Sequence, residues 1–255
     1  MSLPRQGGNM AAMNDDPFQT DPALIRASGY PYDITPTSFT FIEGEATPFD
    51  PGLTEGRFPV IGYGSNQSPQ RLRQKYGTAH APIPVQRGQL SDHDVVYSAH
   101  FASYGSLPAA LRHVEGTSVS VAVNWLDEGQ LAVMHGTEWD HYHYAKLTDI
   151  SLRLAEGETL SEAYVYLCFS GHTVRDGEPI ALAEVAAENR RHDAMSQIEA
   201  LSLMRDRLSP GAGLADFVGA HITDAELRAA RTHQLRAVAV PGRHAAHEVV
   251  YRGLE

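Results

Sequence analysis

The chain has 255 residues, a length that predicts one main domain with extensions. Apolar residues make up 42% and charged residues 20%, a balance that calls for a packed core and excludes a wholly disordered chain. A formal net charge of -11, from 31 acidic against 20 basic side chains, repels a phosphate backbone, so nucleic acid is excluded as the expected partner.

No apolar run approaches the roughly 20 residues that span a bilayer, so no membrane partner is expected. Residues 1–22 hold no apolar signal core, which points to a cytoplasmic protein. The single cysteine, Cys168, sits in the apolar run "AYVYLCFS"; it reads as a buried strand thiol and has no partner for an internal disulfide.

In chain order, residues 1 to about 23 are polar, rich in Gly, Pro and Asp, and without a period of 2 or 3.6, which predicts a mobile tail. Residues 24–56 read as an extended arm: "TSFTFIEG" alternates like a short strand, and Pro31, Pro36, Pro48 and Pro51 punctuate its surroundings. From Phe58 onward "FPVIGY", "HDVVYSAHF", "SVSVAVNWL", "AKLTDISLRL" and "AYVYLCFS" mix β-branched and aromatic residues at strand length.

Helices are predicted for "SPQRLRQKY", for "DEGQLAVMHG", and for residues 180–208, where apolar residues recur at three and four. The last stretch reads as one helix or as two broken near Arg191 to Ala194. After the turn-rich "SPGAG", Thr223 and Glu226 fit a capping box, and "QLRAVAV" reads as a late strand. Strands and helices out of strict alternation give an α+β class. The expected organisation is a tail and arm over residues 1–56, a main domain over 57–208, and a C-terminal extension over 209–255 that packs on it.

The segment "FPVIGYGSNQSPQRLRQKYG" reads as strand, tight loop and helix. Ser68 is the expected N-cap, Pro69 the first helical residue, and Gly77 the stop. Gly62 and Gly64 permit close backbone approach, and the backbone N–H groups of Gly64, Ser65 and Asn66 with the helix N-terminus suit a carboxylate or carbonyl oxygen. The loop lacks the "GK" followed by Ser or Thr of a P-loop, and it lacks the second glycine of a nucleophile elbow, so Ser65 is not expected to be an acylating nucleophile.

"YGSN" (Tyr63 to Asn66), after an apolar strand and before "SPQRL", resembles the substrate-binding loop of the γ-glutamylcyclotransferase-like superfamily. Further along, "SVSVAVNWLDEGQLAVMHGTEWDHYHYAKLTDISL" follows that family's order of strand, acid, tyrosine and strand, with Glu138 in the place of the catalytic acid. Met134 and His135 stand where the family often has Leu-Asp, and Trp139 replaces the usual Gly. "AYVYLCFS" with the helix-like stretch after it resembles the family's last barrel strand and C-terminal helix.

The resemblance implies a small mixed β-barrel with flanking helices over residues 58–208. It implies an enzyme that cyclises a γ-glutamyl amide to 5-oxoproline and releases an amine without a cofactor or metal. The implied site is Glu138 as general acid and base, with Tyr63, Gly64, Ser65, Asn66 and Tyr144 binding the small-molecule γ-glutamyl substrate. The substrate's own α-amine is the nucleophile, so holding it folded back supplies much of the rate. A carboxyl in a mostly apolar pocket beside Trp139 and the Tyr142–Tyr144 pair would have its pKa raised by desolvation, which suits a base at neutral pH. A non-catalytic small-molecule-binding protein with the same fold is the alternative.

His135, His141 and His143 cluster near Glu138 and Asp140, but not at the "HExxH" spacing, and pocket-lining or surface histidines are expected. His135 is placed to line the cavity and tune Glu138. Arg190 and Arg191 read as a solvated helix face, with an acidic ligand as the alternative. Oligomeric state is not encoded in any pattern of the chain.

Overall fold

The computed structural model describes residues 16–253, so most of the expected tail, residues 1–15, lies outside the described residues. Where description begins the chain is helical. Helices α1 (Pro17–Thr20) and α2 (Pro22–Ser28) each start with an Asp–Pro pair: the carboxylates of Asp16 and Asp21 accept from the N–H of Phe18 and Ala23, and proline takes the first helical position. α2 buries Leu24 and Ala27 in the core. The hairpin of β1 (Phe39–Ile42) and β2 (Glu45–Pro48) turns at Glu43 and Gly44, both at positive φ, and β1 also pairs with the main sheet.

The sheet is built on a long hairpin of β4 (Ile83–Tyr97) and β5 (Ala109–Leu126), whose register shifts between Ser91 and His93 and bends both strands. β5 passes to β3 (Phe58–Gly62), and β3 pairs in parallel with β9 (Ala163–Cys168). Beyond β9 lie β6 (Tyr142–Leu147) and the last strand, β15 (His247–Tyr251). β7 (Leu152–Leu154) joins β4 and carries β8 (Thr159–Leu160).

Short strands fill residues 174–195: β10 (Val174–Arg175) and β11 (Glu178–Pro179) pair as a separate two-stranded sheet, β12 (Ala181–Leu182) and β14 (Ala194–Met195) extend the main sheet beyond β4, and β13 (Ala187–Glu188) pairs with β5. Among the described residues the path β14-β12-β4-β5-β3-β9-β6-β15 does not return on itself. The fold is thus α+β with a large, mostly antiparallel sheet and flanking helices, and the expected closed barrel is replaced by an open, bent sheet.

Period-two alternation sorts the strands' side chains onto two faces. Val119, Val121, Val123, Ala145, Leu147, Val165 and Leu167 join one core with α2, α5 (Gln197–Leu208), α6 (Leu214–Thr223) and α7 (Ala225–Val238). Ala122, Leu126, Tyr142, Tyr144, Tyr166 and Cys168 join the other, under Leu72 of α3 (Pro69–Tyr76) and Met134 of α4 (Glu128–Glu138). Cys168 is buried as expected, and burial pushes its thiol pKa up to about 11.

Three helix readings change. Residues 180–195 are not helical; their apolar residues are buried by pairing with β4 and β5, and periodicity does not separate these cases in short runs. The helix starts only at Gln197, where Ser196 and Glu199 form the reciprocal capping box. The expected box at Thr223 is displaced by one residue: Asp224 caps α7 by accepting from Leu227 N–H, and the Thr223 hydroxyl donates back to the Gly219 carbonyl. "QLRAVAV" continues α7 to Val238, because Thr232 and Leu235 lie on one buried helical face.

Candidate active site

Strand β3 ends at Gly62, and a tight turn over Ser65–Gln67 leads into α3. Both loop glycines are required by close approach rather than by φ. A β-carbon at Gly62 would stand 2.8 Å from Asn124 Nδ2 and 3.1 Å from the Asn66 carbonyl oxygen; one at Gly64 would collide with the Tyr30 hydroxyl and the Ala109 methyl. What comes close to Gly64 is therefore a phenol of the N-terminal segment. Ser68 has the extended backbone of a cap but no side-chain capping bond, so Pro69 and the Gly77 stop, at φ 69°, delimit α3.

Glu138 is the last residue of α4, and α3 runs beside it. Its Oε1 takes two donors, Lys75 Nζ at 2.5 Å and Asn66 Nδ2 at 3.3 Å; the Thr137 hydroxyl lies 3.4 Å away but has its proton on the Met134 carbonyl at 2.9 Å. No donor among the described residues reaches Oε2 within hydrogen-bond distance. The Lys75 side chain is fully buried and the Glu138 side chain is 14% exposed. Burial pushes the Lys75 pKa down, opposed by the Glu138 carboxylate beside it.

The surroundings expected for Glu138 are not those found. Trp139 caps α4 and stacks on Tyr251, with ring centroids 4.7 Å apart. Tyr144 packs between His135 and Tyr164, its hydroxyl buried without a partner. Neither residue lines the cavity onto which Glu138 opens. His135 is also outside it, with its Nδ1 2.8 Å from the Tyr166 hydroxyl, and burial lowers its pKa.

That cavity holds about 330 Å³ and lies at the carboxyl end of β3. Tyr63, Gly64, Ser65, Asn66 and Glu138 all line it. The tyrosine after the acid that reaches it is Tyr142, not Tyr144. The two share a face of β6, but a strand advances about 3.3 Å per residue, which carries Tyr144 beyond the cavity and under α4.

The three histidines go separate ways: His141 lines the cavity and stacks on His100, His135 faces Tyr166, and His143 lies against Phe169. Among the described residues no group of three or more His, Cys, Asp or Glu is placed to hold a metal ion. Arg190 faces neither a ligand nor solvent; it is paired with the buried Asp94.

Distant likenesses among solved structures include the following two. A chain described as a gamma-glutamyl cyclotransferase is similar over 75% of this chain and 92% of its own length, at 14% identity and a TM-score of 0.37. An uncharacterized protein from Homo sapiens is similar over 76% and 94%, at 13% identity and a TM-score of 0.38. No family model and no curated protein matches. The chemistry therefore has to be read from the cavity itself.

Sequence reasoning missed Lys75, Tyr30 and the arginines of the cavity wall. Lys75 had a signal: it stands three residues after Leu72, the buried position of α3, and so shares its inward face. Arg26, Arg71 and Arg228 come from α2, α3 and α7 and meet only through the tertiary fold. They share the cavity lining with the carboxylates of Glu138 and Asp140, so the cavity presents both signs of charge to a ligand.

Proposed function

We propose that this cavity cyclises a γ-glutamyl compound, releasing an amine and 5-oxoproline, with Glu138 as general acid and base. The observation that carries the reading is the common cavity of the Glu138 carboxyl and the Gly64–Asn66 turn, where Asn66 donates to Oε1 and leaves Oε2 open.

In this reading Oε2 takes a proton from the substrate's α-ammonium. The freed amine attacks the γ-carbonyl carbon and forms the lactam C–N bond. The bond to the departing nitrogen then breaks as Glu138 returns the proton to it, and the second proton of the new lactam nitrogen passes to the released amine, which leaves as its ammonium, so the enzyme ends as it began. Lys75 and Asn66 hold Oε1 and so fix the direction of Oε2.

Two polar atoms on cavity-lining residues support a zwitterionic ligand. Asn66 Oδ1 and Arg71 Nε are buried without a partner among the described residues. The first is an acceptor suited to an ammonium, the second a donor suited to a carboxylate.

The test is to incubate the protein with a panel of γ-glutamyl amines and glutathione and to assay 5-oxoproline, with Glu138→Gln in parallel. Product from the wild type and none from the variant supports the reading. Equal turnover by both removes Glu138 from its role, and binding without turnover by either indicates a non-catalytic binding protein.

A further inference from the structure

Four buried phenols, Tyr30, Tyr63, Tyr142 and Tyr166, line the cavity with Glu138. Three of them have their hydroxyls engaged, Tyr166 with His135 Nδ1 at 2.8 Å. The Tyr63 hydroxyl donates to the Tyr166 carbonyl at 2.6 Å, and the Tyr142 hydroxyl donates to the Ala109 carbonyl at 2.9 Å.

Tyr30 is different: its oxygen accepts from the Ala109 N–H at 2.9 Å, and no acceptor among the described residues takes its proton. The Tyr30 hydroxyl thus sits directly against the Gly64 turn, where a β-carbon on Gly64 would collide with it.

We propose that Tyr30 is a catalytic residue of the cyclising reaction, its hydroxyl donating a hydrogen bond to the γ-carbonyl oxygen as that oxygen gains negative charge. The inference rests on the γ-glutamyl reading of the same cavity. No bond of Tyr30 is made or broken: charge builds on the substrate oxygen during attack and leaves it when the amine departs.

A phenol that accepts backbone N–H bonds is a stronger donor through its own proton, because chains of hydrogen bonds polarise one another. Burial and the neighbouring Tyr104 and Glu138 push the Tyr30 pKa well above that of an ordinary phenol, so the proton stays on the oxygen at neutral pH. Such a fixed, desolvated donor stabilises the transition state without reorganising. The N-terminal segment, through α2 and Tyr30, is in this view part of the active site rather than an arm beside it.

The test is steady-state 5-oxoproline formation by the full chain and by Tyr30→Phe, with thermal unfolding of both. The expected result is a kcat about a hundredfold lower in Y30F at a KM within about threefold of wild type, and a melting temperature that leaves the variant folded in the assay. A Y30F kcat within about threefold of wild type overturns the role of Tyr30 and leaves the γ-glutamyl reading standing. A wild type that makes no 5-oxoproline from any γ-glutamyl compound overturns both. Should Y30F fail to fold, 3-fluorotyrosine at position 30 keeps the ring and hydroxyl with a more acidic proton. Its kcat then rises at least about twofold if Tyr30 donates in the transition state, and an unchanged kcat overturns the proposal.

Discussion

Two carboxylates of this protein meet a cationic side chain away from bulk water, and the fold treats them differently. Asp94, fully buried on β4, receives both Arg190 Nε and Nη2 at 3.0–3.1 Å together with the Val95 N–H, and Arg190 also donates to the Val185 carbonyl. Both carboxylate oxygens are occupied, and neither residue lines the Glu138 cavity. Glu138 gathers all its protein donors on one oxygen and turns the other to a cavity. A closed pair of this kind fixes two segments of chain; an open one holds a reactive atom in place. Buried charge alone therefore does not mark a site, whereas buried charge with an unfilled lone pair beside a cavity does.

The sharpest way to break this contrast is to neutralise each acid. Glu138→Gln keeps the shape and removes the proposed base, so 5-oxoproline formation falls by about a thousandfold or more, and it also leaves the fully buried Lys75 without its counter-charge, which costs stability as well. Asp94→Asn should cost stability alone. It leaves Arg190 buried with half a partner and costs about 3 kcal/mol in urea unfolding, yet activity per folded molecule equals that of the wild type. A D94N protein with wild-type stability, or an E138Q protein with wild-type turnover, would erase the distinction.

A third contact sharpens it through pH. Arg112 Nη1 lies 3.0 Å from Nδ1 of the buried His172, and burial with the Arg112 charge pushes the His172 pKa down to about 3. Unfolded, this histidine takes a proton near pH 6.5; folded, it does not until about pH 3. Between those values the unfolded chain holds more protons, so stability is lost as pH falls through that window. Denaturation at pH 4.5 should show a loss of roughly 2 kcal/mol relative to pH 7 from this site, and His172→Gln should flatten that slope.

Lys75→Met removes the cation that anchors the open pair. Removing one partner of a buried pair costs some stability, and Glu138 loses its shortest contact and its fixed direction. A kcat reduced about tenfold, with little further loss when K75M is added to E138Q, would show that the lysine acts through the carboxylate.

The site was legible in the sequence wherever its logic is local. The strand, turn and helix around "YGSN" follow from Pro69, Gly77 and two glycines within twenty residues of chain, and α4 follows from the capping box of Asp127 and Gln130 just before it. Glu138 is named through the family resemblance alone, two residues past the end of the helix predicted for "DEGQLAVMHG". Its partners could not be named: the Lys75 ammonium is set by the packing of α3 on α4, and Tyr30 arrives from a segment that reads as an irregular arm. The failure over residues 180–195 has the same origin. Apolar spacing near Ile180 fits a helix, but Ala181 pairs with Val96 and Ala187 with Val119, and those distant strands decide the conformation.

The smallest expected effect concerns the tyrosine that the spacing points to and the fold moves away. Tyr144 lies outside the cavity, with its hydroxyl buried among rings and bonded to no described residue. Burial raises its pKa far above neutral pH, so the group is an uncharged hydroxyl that has given up water for no partner. Tyr144→Phe removes that cost while keeping the ring against Tyr164 and His135, and should stabilise the fold by up to about 1 kcal/mol. Turnover should stay within about twofold, a barrier change of about 0.4 kcal/mol. A Y144F enzyme that loses activity as severely as E138Q would mean that the cavity reaches further along β6 than Tyr142, and the open pair would then serve a longer site than the one at the end of β3.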